Sequence, residues 1–236
     1  MIVSGVEIEV IKKNIKNMHL SVLPPVGKVR ISTPLNISDD AIKLFAIAKI
    51  GWIRKQIVKY ENQPRQSERE YVSGESHYLW GQRYRMEIKH SKTANKIEIK
   101  ANKLILTVRE NSTQQQRENV MNEWYRAEIK AKLPALFEKW ESVIGVKPNE
   151  YGVKNMLTRW GTCNVKAKRI LINLQLAKKP IHCLEYIIVH ELVHLIEKTH
   201  NSVFVEHMDK FIPNWRVIKD ELNSFIMDCY IEELEE

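Results

Sequence analysis

A chain of 236 residues, 44% hydrophobic and 28% charged, is long enough for one large domain or two small ones with a real core, and its balance is that of a soluble globular protein. No stretch approaches the roughly 20 consecutive apolar residues of a membrane helix, and the opening MIVSGVEIEVIKKN lacks a basic region followed by an apolar one, so a cytoplasmic location without a membrane partner is expected. The formal charge of +8 admits an anionic partner such as nucleic acid, but the basic residues are interleaved with acids and read as a solvated surface.

In chain order, VEIEVI, HLSVL and KVRISTP alternate apolar and polar residues and predict strands, with Pro-Pro-Val-Gly turning the chain between the last two. From Ser38 the spacing changes to three and four residues behind an acidic start, which predicts one amphipathic helix through Ile57. QPRQSERE is a polar connector. YLWGQRYRMEIKH and KIEIKANKLILTVREN return to period two, with Lys-Ala-Asn-Lys as a hairpin turn. NSTQQQ opens a long helix over about residues 114–143 with Val120, Trp124, Ile129, Leu133, Leu136, Phe137 and Trp140 along its apolar side.

KRILINLQL predicts a strand over 168–176, with Ile170, Ile172, Leu174 and Leu176 on one face and Leu171, Asn173 and Gln175 on the other. An apolar helix follows from Leu184, then a break, a short helix near 202–211, Pro213 and a last helix ending in EELEE. No internal repeat is visible. Cys163, Cys183 and Cys229 form no CxxC pair and are expected to be reduced and mostly buried. The composition shift near residue 112 gives an α+β class in two parts. Residues 1–112 form an antiparallel, β-rich part with one helix, and residues 113–236 a helical part with a small sheet.

The apolar helix contains HELVH. His190 and His194, four apart, project from one helical face and can reach one ion, while Glu191 flanks that face and can reach a water beside it. This HExxH arrangement supplies two nitrogen ligands for Zn2+ and a carboxylate general base. Ile187, Ile188, Val189, Leu192, Val193, Leu195 and Ile196 surround the trio with apolar side chains, where unpaired imidazoles would be costly.

A catalytic zinc takes three protein ligands, and His200 is the choice for the third, over Glu206, His207 and Asp209. Continued as helix, the chain would aim His200 away from the metal, so the helix must stop around Lys198 and Thr199, with Asn201 or Ser202 capping a new one. His19, His77, His90 and His182 have no partner at ligand spacing and read as surface or locally bonded residues.

RWGTC at 159–163, the ILIN strand, VHELVHL, His200 before Asn201 and Ser202, and PNW at 213–215 together resemble the YgjP-like zinc metallopeptidase family, related to the SprT-like and WLM zincins. The close match covers roughly residues 155–216. The resemblance implies a zincin-like metallohydrolase part in which His190, His194 and His200 bind zinc and Glu191 polarises water. By motif position it also places Arg159 and Trp160 beside the site, with Gly161 allowing close backbone approach. Arg159 then either holds an oxyanion or a substrate carboxylate or phosphate, or forms a structural salt bridge; Trp160 packs. The spacing HExxHxxxxxH equals that of metzincins, but Glu197 stands where their turn has glycine and no Met-turn is evident; Met208 and Met227 read as core positions.

The leading expectation is a zinc metallopeptidase acting on a peptide or protein, with the polar face of the 168–176 strand pairing an extended substrate. A metal-dependent nucleoside triphosphate pyrophosphatase on the same site is the alternative, although no glycine-rich phosphate loop is present. A nucleic-acid-associated protein with structural zinc is the third reading.

Overall fold

The computed structural model describes residues 1–23, 27–62, 69–92, 94–156 and 159–224. Its first tight turn is set by two left-handed residues in succession, Ser4 at φ 51° and Gly5 at φ 82°. That is the primed turn whose twist matches a hairpin, and it joins β1, Ile2–Val3, to β2, Val6–Lys13. β3, His19–Leu23, and β4, Lys28–Pro34, form a second antiparallel pair, but β4 is the strand that lies beside β2, and it does so in parallel. The sheet order is therefore β1-β2-β4-β3, a mixed sheet where the sequence predicts an antiparallel one. β4 takes the interior place because it alternates most regularly: Val29, Ile31 and Thr33 are all buried.

The helix predicted from Ser38 is two helices. Ser38 caps α1, Asp39–Ala48, through its hydroxyl, and the chain breaks at Lys49, whose N–H turns back to Ala46 before α2, Ile50–Asn62, begins. Ile42, Ala46 and Ile53 are buried with Val3, Ile8, Val22, Val29 and Ile31. These elements fall in the first of two compact units, Met1–Arg65.

The second unit, Gln66–Glu236, opens by repeating the plan. Trp80 and Gly81, at φ 50° and 81°, turn β5, Ser76–Leu79, into β6, Gln82–His90. β7, Lys96–Lys100, and β8, Lys103–Val108, pair antiparallel through the predicted Ala101-Asn102 turn, and β8 lies parallel to β6. The order β5-β6-β8-β7 reproduces the first sheet strand for strand. The registers coincide too: Ile8 faces Val29 and Lys12 faces Thr33 in one sheet, as Met86 faces Leu104 and His90 faces Val108 in the other. Each last strand leads to a hydroxyl-capped helix, at Ser38 and at Thr113. The chain thus contains a repeat of backbone plan that its sequence does not display.

Here the helix is α3, Gln114–Ile144, with a capping box between Thr113 and Gln116 and left-handed Gly145 at its end. Its buried stripe is Met121, Tyr125, Ile129, Leu133, Phe137 and Trp140; Val120, Trp124 and Leu136 lie half-buried at its margins. This stripe shares one core with Leu104, Leu106, Ile170, Ile187 and Leu192. The composition shift near 112 therefore falls inside the second unit, where sheet and helix bury each other.

β9, Glu150–Lys154, β10, Gly161–Asn164, and β11, Arg169–Asn173, make a three-stranded sheet with β11 in the centre, parallel to β9 and antiparallel to β10. The strand predicted through 176 ends at Asn173 because that side chain accepts from the Gln175 N–H and starts a 3-10 turn, Leu174–Lys178. α4, Ile181–Val193, α5, Ser202–Phe211, and α6, Trp215–Ser224, complete the described chain. No helix among the described residues is long and apolar enough to cross a membrane. The predicted Pro-Pro-Val turn, most of the QPRQSERE connector, Met227, Cys229 and the acidic tail lie outside the described residues.

Candidate metal centre

α4 is apolar on nearly every side, and from Tyr186 through Val193 every residue is buried. That packing holds His190 and Glu191 at 5% and 3% exposure in the middle of a core, two polar groups where water cannot satisfy them. Burial pushes the His190 imidazole well below its ordinary range, helped by the neighbouring His194 and His200, and it pushes the Glu191 carboxyl up to about 8 against the opposing charge of Arg159.

α4 stops at Val193, five residues earlier than the sequence suggests. His194 is its C-cap, and the N–H groups of Leu195 and Ile196 reach back only three residues, to Leu192 and Val193, which tightens the last turn. From there the chain turns over Glu197, Lys198 and Thr199 without a left-handed residue. Asn201 caps α5 by accepting from the Phe204 N–H at 3.1 Å.

His200 thereby arrives at the pair: its Nε2 lies 3.2 Å from Nε2 of His190 and 3.1 Å from Nε2 of His194. The Nδ1–H of His194 donates to the Glu197 carbonyl at 3.2 Å, which leaves its Nε2 with a free lone pair. Burial lowers the His194 imidazole, and that carbonyl works in the other direction. Phe204, 3% exposed, backs all three rings, with centroids 5.0, 4.8 and 4.7 Å from those of His190, His194 and His200.

Three imidazole nitrogens so arranged cannot all satisfy one another, since one shared proton serves only two of them. A tetrahedral cation with bonds of about 2.0–2.1 Å sets its nitrogen ligands about 3.3 Å apart, close to the separations found. The trio fits a divalent metal. The other candidates for third ligand are not brought to it: Glu206 is exposed, His207 stacks on Phe211, and Asp209 accepts from Trp215 Nε1 and pairs with Arg216.

Glu191 lies against β10. A Cβ at position 161 would sit 2.5 Å from Glu191 Oε1, so only glycine lets the strand pass this close. Oε2 of Glu191 is buried and has no hydrogen-bond partner among the described residues, nor does Nδ1 of His190. Trp160 is 1% exposed and packs. Arg159 is exposed and makes no ion pair among the described residues, and its charge acts on Glu191.

Asn173 is an organising residue that no sequence motif marks. Fully buried, it donates to the carbonyls of Arg159 at 2.6 Å and Met156 at 2.9 Å, and its N–H donates to the Trp160 carbonyl at 2.8 Å, so it anchors the segment that carries Arg159. The polar face predicted to meet a substrate is thus turned inward. β11, being central, also has no free edge; the edge strand next to Glu191 is β10. Of the remaining histidines, His77 pairs with Glu75 and His182 with Glu221, while His19 and His90 are exposed.

No curated protein matches the chain. Among solved structures, the crystal structure of the metallopeptidase zymogen of Pyrococcus abyssi abylysin is similar over 42% of this chain and 97% of that one, at 19% identity and a TM-score of 0.38. The model of the YgjP-like metallopeptidase domain matches residues 16–225 and so takes in almost everything described above. A match of that extent settles the family: the chain belongs to the YgjP-like metallopeptidases and is a metallohydrolase that works with a divalent metal.

Proposed function

We propose that this metallohydrolase is a zinc-dependent peptidase whose metal is held by Nε2 of His190, His194 and His200 and whose general base is Glu191. The observation that carries the reading is the convergence of three imidazole nitrogens, 3.1 and 3.2 Å apart, beside a buried carboxylate with one unpartnered oxygen. Zinc bound there supplies Lewis acidity toward a carbonyl oxygen and lowers the pKa of water.

Glu191 takes the proton of the attacking water and returns it to the leaving amine, so one carboxyl serves as base and then as acid. Its burial keeps it unsolvated and raises it above the ordinary carboxylate range. The open edge of β10, Gly161–Asn164, aligns an extended peptide by strand addition next to that carboxylate. Arg159, exposed at the start of the same segment, holds the developing oxyanion or a substrate carboxylate.

The purified protein, incubated with an unstructured protein and separately with nucleoside triphosphates, is expected to cleave the former, and a chelator is expected to stop it. Glu191→Gln keeps one equivalent of zinc and loses about 10²–10⁴-fold in turnover. Nucleotide hydrolysis with the protein substrate left intact would replace the peptidase with the phosphoanhydride reading.

A further inference from the structure

The turn from His194 to His200 must reverse direction within six residues, and zinc turns of equal spacing use glycine for this. Here no residue from 194 to 201 has positive φ. Something other than backbone freedom holds the turn. Glu197 takes part through both its side chain and its main chain. Its Oε1 accepts from the Thr199 N–H at 3.0 Å and from the Thr199 hydroxyl at 2.9 Å, and its carbonyl accepts from His194 Nδ1 at 3.2 Å. The Thr199 hydroxyl oxygen accepts from Asn201 Nδ2 at 3.2 Å, and Asn201 caps α5, from which Phe204 backs the three rings.

We infer that Glu197 is a positioning residue for the metal: its side chain folds the turn that delivers His200, and its main chain fixes the His194 ring with Nε2 facing the ion. The inference rests on the assignment of His190, His194 and His200 as ligands. The side chain acts as an acceptor, not as a buried charge, because both Thr199 bonds end on one oxygen and the residue is only half-buried. An amide oxygen can occupy the same place. A methyl group cannot.

The test is zinc affinity in a competition titration with a chelating dye, made on the full chain. Glu197→Ala is expected to weaken zinc by about tenfold or more, the range found when an orienting partner of a ligand is lost. Glu197→Gln is expected to stay within about threefold of wild type, since the charge of a half-buried side chain is partly screened and the amide oxygen keeps the acceptor. Imidazole nitrogen shifts of the metal-free protein give a second reading that a general loss of stability does not move. His194 holds its proton on Nδ1 in the wild type and in Glu197→Gln, and becomes a mixture of tautomers in Glu197→Ala. Wild-type affinity in Glu197→Ala, or a Glu197→Gln as weak as Glu197→Ala, would overturn the inference. A wild type that binds no zinc, or a His200→Ala variant that binds it unchanged, would instead overturn the ligand assignment.

Discussion

At the scale of single residues, the site is defined by a contact that no spacing rule reveals. HExxH is legible because helical geometry alone brings residues four apart to one face, and His190 and His194 are placed as that rule requires. The approach of Gly161 to Glu191 joins segments 30 residues apart, and a glycine in a sequence announces close packing without naming its partner. Phe204 is likewise unmarked, one apolar residue of an amphipathic helix. Gly161→Ala tests the contact. Its Cβ would meet Glu191 at 2.5 to 2.9 Å, so the carboxylate must swing away while the imidazoles stay in place. Turnover is expected to fall about 10²-fold, the usual penalty for a reacting group displaced by an ångström, with metal content unchanged. Metal analysis beside kcat checks this, and loss of the metal itself would place the damage at the ligands instead.

At the scale of elements, the sequence announces helices and strands by their periodicity but hides where side chains cut them short. The strand ending at Asn173 and the helix broken at Lys49 each contain an uninterrupted apolar pattern, and in both cases a hydrogen bond reaching only two or three residues along the chain ends the element. Asn173→Ala would leave the carbonyls of Met156 and Arg159 without their donor in a partly buried place. It is expected to cost about 1–3 kcal/mol in denaturant unfolding and to raise KM more than it lowers kcat, because the segment it anchors carries Arg159 and not the metal ligands. Equal losses in metal binding would contradict that division of roles.

β5 carries a second consequence, for stability against pH. His77 is 2% exposed on this strand, and burial, followed by the Arg69 charge, lowers it from an ordinary 6.5 to about 4 despite the Glu75 carboxylate at 3.1 Å. Between those values the unfolded chain takes up a proton that the folded chain refuses. The stability present above pH 6.5 is therefore lost as pH falls toward 4, at about 1 kcal/mol per pH unit. His77→Gln is expected to flatten that slope in chemical denaturation run at pH 7, 6 and 5, and an unchanged slope would assign it to other groups.

At the scale of the whole molecule, one strand plan is used twice for different ends. The α+β class and the order of elements are legible from residue patterns; the repeat is not, because it preserves burial and register while replacing identity. Ile8, Val29, Ile31 and Thr33 of the first sheet answer to Met86, Leu104, Leu106 and Val108 of the second, and only the alternation is common to both sets. The first sheet closes a core with Ile42, Ala46 and Ile53, whereas the second has its buried face in the core that also contains α4 and hence the histidines. Equivalent truncations should then act on different parts of the melting curve. Ile31→Ala and Leu106→Ala each remove most of a fully buried side chain from a central strand and should each cost about 2–5 kcal/mol. Zinc at a thousandfold its Kd stabilises whatever folds around it by about 4 kcal/mol. In calorimetry with and without zinc, Leu106→Ala is expected to lower the transition that the metal raises, and Ile31→Ala to lower a transition that the metal leaves in place. If both variants lower one common zinc-shifted transition, the two cores melt as a single cooperative unit, and the first copy of the plan contributes directly to the stability of the metal centre.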